Sequence, residues 1–253
     1  MILNTFSNSI NSIFNLIGVR NDLGKSYERL SSGLRINRAS DDPAGLVISE
    51  KMRSRISEIS QLIRNIEYKD NKYTTAESGL ASMQTNLREM RNMALAASDD
   101  GAVTDDMRRA YQTVMDRNIE GFNNIIDNTS FGVQPLLDGS EGSVADIGKL
   151  DRIDISDPEK AAEAVKLIDE KTDEILNARA EIGAKQKYEF ESQKDNLQTE
   201  FVNLTQAESS IRDTDMALEY SRMIGNEIKL KAGFVLLAHK SLMSGIMVNL
   251  LSR

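Results

Sequence analysis

The longest periodic segment of the chain is DPAGLVISEKMRSRISEISQLIRNIEYKDNKYTTAESGLASMQTNLREMRNMALAAS, residues 42–98. Its apolar side chains recur every three or four residues, the spacing of a helix face buried against other helices in a coiled-coil-like arrangement. Asp42 and Pro43 mark its start, because aspartate caps helices and proline is tolerated in the first turn. At about 1.5 Å per residue the helix would be roughly 80 Å long, which predicts a rod rather than a globule. The residues expected to pack along the rod are Ile56, Ile59, Ile63, Ile66, Leu80 and Leu87.

Two shorter helical patterns follow this segment. The first covers about residues 104–127 and starts at Thr104, a residue type that caps helices. The second covers about residues 158–207 and starts at Ser156-Asp157-Pro158-Glu159, which combines capping side chains with an early proline. Together with the long helix, at about residues 43–98, they predict a mainly α fold in which antiparallel helices form a long bundle.

Residues 128–157 separate these helices and differ from them in composition. They contain four glycines and Pro135, which predict loops and a small β-hairpin. Asp151–Ile155 alternates polar and apolar residues, which predicts one strand.

The two ends of the chain are also helical in pattern. Residues 1–41 are diluted by Asn, Ser and Gly, so an isolated helix there would be marginal. A last helix is predicted from about residue 209 to residue 250, and His239 and Lys240 are the only titratable side chains within residues 232–251. Apolar residues lie nearly all round this helix, which implies burial on every side. Since a thin rod cannot bury it alone, other copies of the chain or a partner must cover it.

Composition and charge exclude several classes of protein. The net charge of −8 divides into +3 for the first 40 residues, +2 for the last 40 and −13 between them, without the clustered Lys, Arg and aromatic residues of a nucleic-acid interface. The chain has no Cys, and its N-terminus lacks the features of a signal peptide. A membrane span at residues 232–251 is the alternative to burial by other copies, but His239 and Lys240 would then lie in mid-span.

No cluster of residues predicts catalysis, a metal site or a cofactor site. His239 is the only histidine, and a general base would need an oriented partner. We therefore expect a structural protein without catalytic, metal-binding or cofactor-binding residues.

Three strings then carry a resemblance to a known family. They are LSSGLRINRASDDPAGLVISEKMRSRI at residues 30–56, IRDTDMA at residues 211–217 and KAGFVLLAHKSLMSGIMVNLL at residues 231–251. In this order and at opposite ends of the chain, they resemble bacterial flagellin, the subunit of the flagellar filament. The likeness covers nearly the whole chain and implies a short form that keeps only the inner filament domains. The hook–filament junction protein has the same architecture and is the alternative, but the C-terminal string looks more like flagellin.

The resemblance implies a division of labour along the chain. Residues 1–41 and 208–253 look like the paired terminal helices of the filament core, disordered in the free subunit and ordered on assembly, whereas residues 42–207 look like the surrounding rod domain. The residues that would pack in the filament core are Ile10, Ile13, Ile17, Leu23, Ile224, Ile228, Phe234, Val235, Leu237, Leu242, Ile246 and Leu250.

The resemblance also implies partners and a location. The chain would polymerise with itself outside the cell after export through the flagellar type III apparatus. An export chaperone would bind its C-terminal helix, and the filament cap and hook-associated proteins would be further partners. Neither nucleic-acid binding nor membrane insertion is implied.

Residues 86–97 resemble the segment that an animal innate immune receptor reads in some flagellins. The most important arginine of that segment falls on Glu89 here, whereas Arg91 and Met93 keep the pattern. The exchange at Glu89 argues against immune recognition.

Overall fold

The computed structural model describes the backbone of residues 2–99, 101 and 103–251, and the side chains of residues 10–99, 101, 103–240 and 242. The mainly α class with a small hairpin is confirmed. In chain order the elements are α1 (Ile2–Ser32), α2 (Pro43–Ala97), α3 (Asp105–Asn128), β1 (Ser130–Phe131), β2 (Gln134–Pro135), α4 (Pro158–Ala184), a π-helical segment (Lys185–Glu191), α5 (Ser192–Arg212) and α6 (Met216–Leu251).

The chain forms two compact units, one of residues 1–58 with 201–253 and one of residues 59–200. The second unit has a continuous apolar core between α2, α3 and α4. Its fully buried large side chains include Leu80, Met83, Leu87, Met90, Met115 and Phe122. Alanines at 76, 94, 161 and 164 are also buried in this core, and their small side chains let the helices approach closely.

Helix starts follow local chemistry. Asp42 caps α2 as predicted, because its Oδ1 accepts a hydrogen bond from the Gly45 amide at 2.9 Å. Thr104 caps α3 in the same way through the Met107 amide. α4 starts as predicted, with Asp157 at the N-cap and Pro158 in the first turn, but the Asp157 side chain makes no hydrogen bond to the helix backbone. Its carboxylate contacts the ammonium group of Lys160 at 3.4 Å instead.

The predicted hairpin is present and short. β1 pairs antiparallel with β2, with Phe131 opposite Gln134, and Gly132 provides the turn with φ at +66°. Tyr68 packs edge-on against Phe131 with ring centroids 4.9 Å apart, and the Lys72 ammonium donates to Gln134 Oε1 at 3.0 Å. The hairpin is therefore fixed to α2.

The strand predicted at residues 151–155 does not form, because side-chain amides of α3 replace a partner strand. Asn123 donates to the Leu150 carbonyl and accepts from the Leu150 amide, both at 2.9 Å. Gln112 donates to the Ile153 carbonyl at 2.8 Å and accepts from the Ile155 amide at 2.7 Å. These bonds satisfy buried backbone groups, so Ile153 and Ile155 can be buried without a neighbouring strand.

The helix predicted at residues 158–207 is interrupted by the π-helical segment. Gln186 in this segment donates to Asp70 Oδ1 at 2.9 Å, and Phe190 packs edge-on against Tyr73 with centroids 5.0 Å apart. The wider turn thus directs a polar and an aromatic side chain to the same side of α2. The sequence periodicity did not indicate the π-helical segment. Such segments are also rare, so none was expected here.

The first unit is organised around a junction where α1 and α5 end. α5 continues to Arg212 rather than ending near residue 207, and α6 starts at Met216 rather than residue 209. The Thr214 amide donates to the Gly33 carbonyl at 2.9 Å, and the Arg35 amide donates to the Arg212 carbonyl at 2.6 Å. Because Thr214 bonds across the junction, its amide is not available to continue a helix.

Side chains reinforce the junction. The Arg35 guanidinium donates twice to the Ile211 carbonyl. The Arg212 guanidinium donates to Glu50 Oε1 at 2.6 Å, which lowers the pKa of the Glu50 carboxyl. Asp215 caps α6, since its Oδ1 accepts from the backbone amides of Ala217 and Leu218, both at 3.0 Å. The strings at residues 30–56 and 211–217 thus meet at this junction.

The amide contacts of α3 lead to a stability prediction. Asn123→Leu leaves the buried amide and carbonyl of Leu150 without partners, which should lower the free energy of unfolding by about 1–3 kcal/mol. Urea unfolding of the full chain, followed by circular dichroism, measures the change. Asn124→Leu, at the exposed neighbouring position, is the control and should shift it by less than about 0.5 kcal/mol. Equal effects of the two variants would contradict the role of Asn123.

The junction leads to a second prediction. Arg35→Lys replaces a planar group that donates twice to one carbonyl with a single ammonium. We expect the Thr214 amide to exchange with solvent deuterium about fivefold faster, since a loss of about 1 kcal/mol opens the junction more often. Arg38→Lys is the control, because Arg38 is exposed and pairs only with Glu28 in the described structure. Unchanged Thr214 exchange in Arg35→Lys would contradict the prediction.

Candidate assembly surface

α1 and α6 pack against each other in antiparallel directions. Ser26 contacts Glu219 near the junction, and Leu16 contacts Gly233 farther from it. A Cβ atom on Gly233 would lie 2.3 Å from Leu16 Cδ2, so a larger residue there would require the Leu16 side chain to move. The contacts of Ser26 with Glu219 and of Leu16 with Gly233 therefore hold the two terminal helices side by side.

The paired helices expose many large apolar side chains. We call this set the terminal apolar surface. Phe234, Val235 and Leu236 are consecutive, and their relative solvent exposures are 58%, 68% and 70%. Exposed apolar groups of this extent mark interaction sites in soluble proteins. The other members on described residues are Ile10, Ile13, Phe14, Ile17, Tyr27, Met216, Leu218, Tyr220, Ile228 and Leu242.

The residues that the sequence predicted for the filament core fall into three groups. Leu23, Ile224 and Leu237 are half-buried within the helix pair. The side chains of Ile246 and Leu250 lie outside the described residues. The remaining seven are exposed, namely Ile10, Ile13, Ile17, Ile228, Phe234, Val235 and Leu242.

The residues predicted for the filament core leave out six members of this surface, namely Phe14, Tyr27, Met216, Leu218, Tyr220 and Leu236. Phe14 lies four residues after Ile10, which is the spacing of one helix face and could have indicated it. Leu236 lies in the uncharged run before His239, where apolar residues on all sides gave no basis for choosing among them.

The residues predicted to pack along the rod are placed as follows. Ile59, Leu80 and Leu87 are fully buried, and Ile66 is buried at 7% exposure. Ile56 and Ile63 are half-buried.

The segment that resembles an immune-receptor epitope is partly occupied by internal contacts. Glu89 is exposed. Arg91 forms an ion pair with Asp169, with Nε 2.6 Å from Oδ1, which raises the pKa of Arg91. Met93 is half-buried against the apolar core of the second unit. Two of these three side chains are thus already engaged within the chain.

A membrane span is the alternative for the apolar segment of α6. Within the part of the chain that the structure describes, no helix is both long and apolar enough to cross a bilayer.

Comparisons with known proteins agree across the chain. The family description "bacterial flagellin N-terminal helical region" matches residues 3–142, and "bacterial flagellin C-terminal helical region" matches residues 165–251. A flagellin of Halalkalibacterium halodurans is 34% identical over 94% of this chain and 95% of its own length. A flagellin of Bacillus subtilis is 30% identical over 85% of this chain and 88% of its own length.

More distant relatives carry related names. The flagellar filament 31.3 kDa core protein of Treponema maltophilum is 28% identical over 97% of this chain and 96% of its own length. A crystal structure of Bacillus cereus flagellin aligns with a TM-score of 0.40 at 19% identity, over 56% of this chain and 88% of that chain. With two family descriptions that together span most of its length, and with relatives at 30% and 34% identity over most of both chains, the chain belongs to the bacterial flagellin family.

Proposed function

We propose that the chain is the structural subunit of a bacterial flagellar filament and polymerises through the terminal apolar surface. The observation that carries the proposal is the exposure of Phe234, Val235 and Leu236, three consecutive apolar residues on a helix that already packs against α1. Contact between these large apolar side chains and water is unfavourable, so covering them lowers the free energy. The cover we propose is the terminal helices of further copies.

Burial on this scale is sufficient to drive assembly. Covering an exposed side chain the size of Val, Leu or Phe contributes about 1.5–3 kcal/mol. Several such residues together exceed the cost of immobilising one subunit, which is estimated at about 4–15 kcal/mol. A contact between unlike surfaces of identical copies produces a helical filament when the rotation between neighbours does not close into a ring, and this is the geometry we propose.

The division of the chain follows from the same proposal. Residues 1–41 and 208–253 would form the filament core, and residues 42–207 would form the wall around it. Support comes from the contrast between the two units. Residues 59–200 contain a continuous core of buried apolar side chains, whereas Met223 is the one buried apolar side chain on the described residues of α1 and α6.

The proposal includes partners and a location. Before assembly, an export chaperone would cover the C-terminal helix, and the filament cap and hook-associated proteins would bind the chain at the filament ends. The chain would act outside the cell after passage through the flagellar type III apparatus, without inserting into a membrane. The flagellin relatives support this reading over the hook–filament junction alternative, since none of those named above is a hook-associated protein.

We also propose that the chain has no catalytic role. Flagellins are structural proteins, and His239 lies exposed on α6, away from the buried and oriented setting that a general base needs.

Truncation tests the need for the C-terminal apolar segment. Removing residues 232–253 deletes Phe234, Val235 and Leu236 but leaves residues 59–200 intact. We expect a soluble helical protein that does not sediment as polymer, because the most exposed part of the terminal apolar surface on α6 is missing. The full-length chain under the same conditions is the control. Normal filaments from the truncated chain in electron micrographs would contradict the proposal.

A point substitution tests burial at one position. Val235→Asp places a carboxylate where an apolar contact is expected, and an unpaired buried charge costs several kcal/mol. The critical concentration for assembly should rise by at least about a hundredfold, which corresponds to about 2.7 kcal/mol.

Val235→Leu keeps the position apolar and is the matched control; it should assemble as the parent does. Sedimentation measures the critical concentration, and circular dichroism checks that the helical content is unchanged. Equal critical concentrations for the Asp and Leu variants would show that Val235 stays in contact with water in the polymer.

A further inference from the structure

The pair of terminal helices contains an unexpected polar contact. Among the described residues of α1 and α6, the buried polar side chains are Ser26, at 3% exposure, and Glu219, at 4%. The Ser26 hydroxyl donates to Glu219 Oε1 at 2.6 Å. Glutamate is almost never fully buried unless it is paired, so the buried Glu219 carboxylate must have charged partners as well as the Ser26 hydroxyl.

Two arginines complete the contact. Arg29, one turn after Ser26 on α1, places Nη1 3.6 Å from Glu219 Oε2. Arg222, one turn after Glu219 on α6, places Nη1 3.5 Å from the same oxygen. We call Ser26, Arg29, Glu219 and Arg222 the polar key. It links both helices through one carboxylate.

The apolar segment of α6 gives little information about its alignment. Residues 232–238 are apolar on all sides, and a surface without a polar pattern can slide or rotate against a partner helix at small cost. The junction joins the two helices at one end only, through the backbone hydrogen bonds of Gly33 and Arg35. A polar contact within the helices can therefore fix their alignment beyond this end.

We propose that the polar key fixes the axial alignment of α1 against α6 and thereby the arrangement of the terminal apolar surface. A shift of one turn would move Glu219 from Ser26 to Leu23 or Leu30, three or four residues away on α1. The carboxylate would then be buried without its hydroxyl partner, which disfavours the shifted alignment by about a hundredfold or more. The consequence for assembly rests on the proposed function, whereas the alignment itself does not.

Because the natural chain has no Cys, introduced cysteines can report the alignment. Asn15 lies in a cleft of about 290 Å³ between the two helices that is also lined by Lys229, Leu236 and Lys240. Asn15→Cys is combined in turn with Lys229→Cys, Leu236→Cys or Lys240→Cys, and the disulfide yield under mild oxidation is measured on non-reducing gels. With the key intact, one combination should exceed the other two by about tenfold, since one alignment dominates.

The test replaces the key by apolar residues. Ser26→Ala with Glu219→Leu removes both buried polar groups, so helical content and thermal midpoint should be kept or raised. The disulfide yields of the three combinations should then come within about threefold of each other. Glu227→Leu is the matched control, since it removes an acidic side chain of α6 that pairs with Lys231 in the same helix, and should keep one dominant product.

A second variant covers failure of the double variant to fold. Glu219→Gln keeps an oxygen that accepts from Ser26 and should preserve the dominant product. Three outcomes would overturn the proposal. The double variant could keep a single dominant product, or Glu219→Gln could lose it. The third outcome is the absence of any disulfide between the helices in both the soluble chain and the polymer. Sedimentation of the same samples reports assembly separately, so failure to polymerise would count against the proposed function and not against the alignment.

Discussion

The backbone hydrogen bonds between residues 33–35 and 212–214 are the contact on which the geometry of the first unit depends. α1 ends at this junction and α6 starts from it, so the two terminal helices begin side by side and can pair antiparallel. The contact closes a loop of nearly 180 residues, which carries an entropic cost that grows with the logarithm of loop length. Arg35 and the Arg212–Glu50 pair add the side-chain bonds that offset this cost.

The two units use their apolar residues in different ways. In residues 59–200 the apolar faces of three helices meet one another, and side chains such as Leu80 and Phe122 are fully buried within one chain. In α1 and α6 two helices cannot cover each other, because apolar residues extend around most of α6. The first arrangement buries its core within a single copy, while the second leaves apolar side chains in contact with water, and in the proposed filament other copies would cover them. Folding and assembly can therefore depend on separate sets of residues.

Local chemistry predicted much of this fold, and distant contacts account for what it missed. Asp42 caps α2 as expected, because a cap involves residues only three positions apart. The prediction of a strand at residues 151–155 was wrong, because the side-chain amide of Asn123, 27 positions away, donates to the Leu150 carbonyl in place of a partner strand. The end of α5 was misplaced for a related reason, since the Thr214 amide bonds to the Gly33 carbonyl. At the assembly surface, the apolar positions could be predicted from periodicity, but not which of them stay exposed.

Polar and apolar contacts of the terminal helices have different roles. Burial of apolar area is non-directional, so it can supply affinity without defining one alignment. Hydrogen bonds require particular distances and angles, so a few of them can select one alignment among many of similar apolar burial. The contact of Ser26 with Glu219 could not be predicted from sequence. The two residues lie 193 positions apart, and neither serine nor glutamate is a residue type that indicates burial. In a homopolymer every copy presents the same surface, so an error of alignment within the chain is repeated at each contact. A small number of buried polar groups can thus determine a structure whose stability comes mostly from apolar burial.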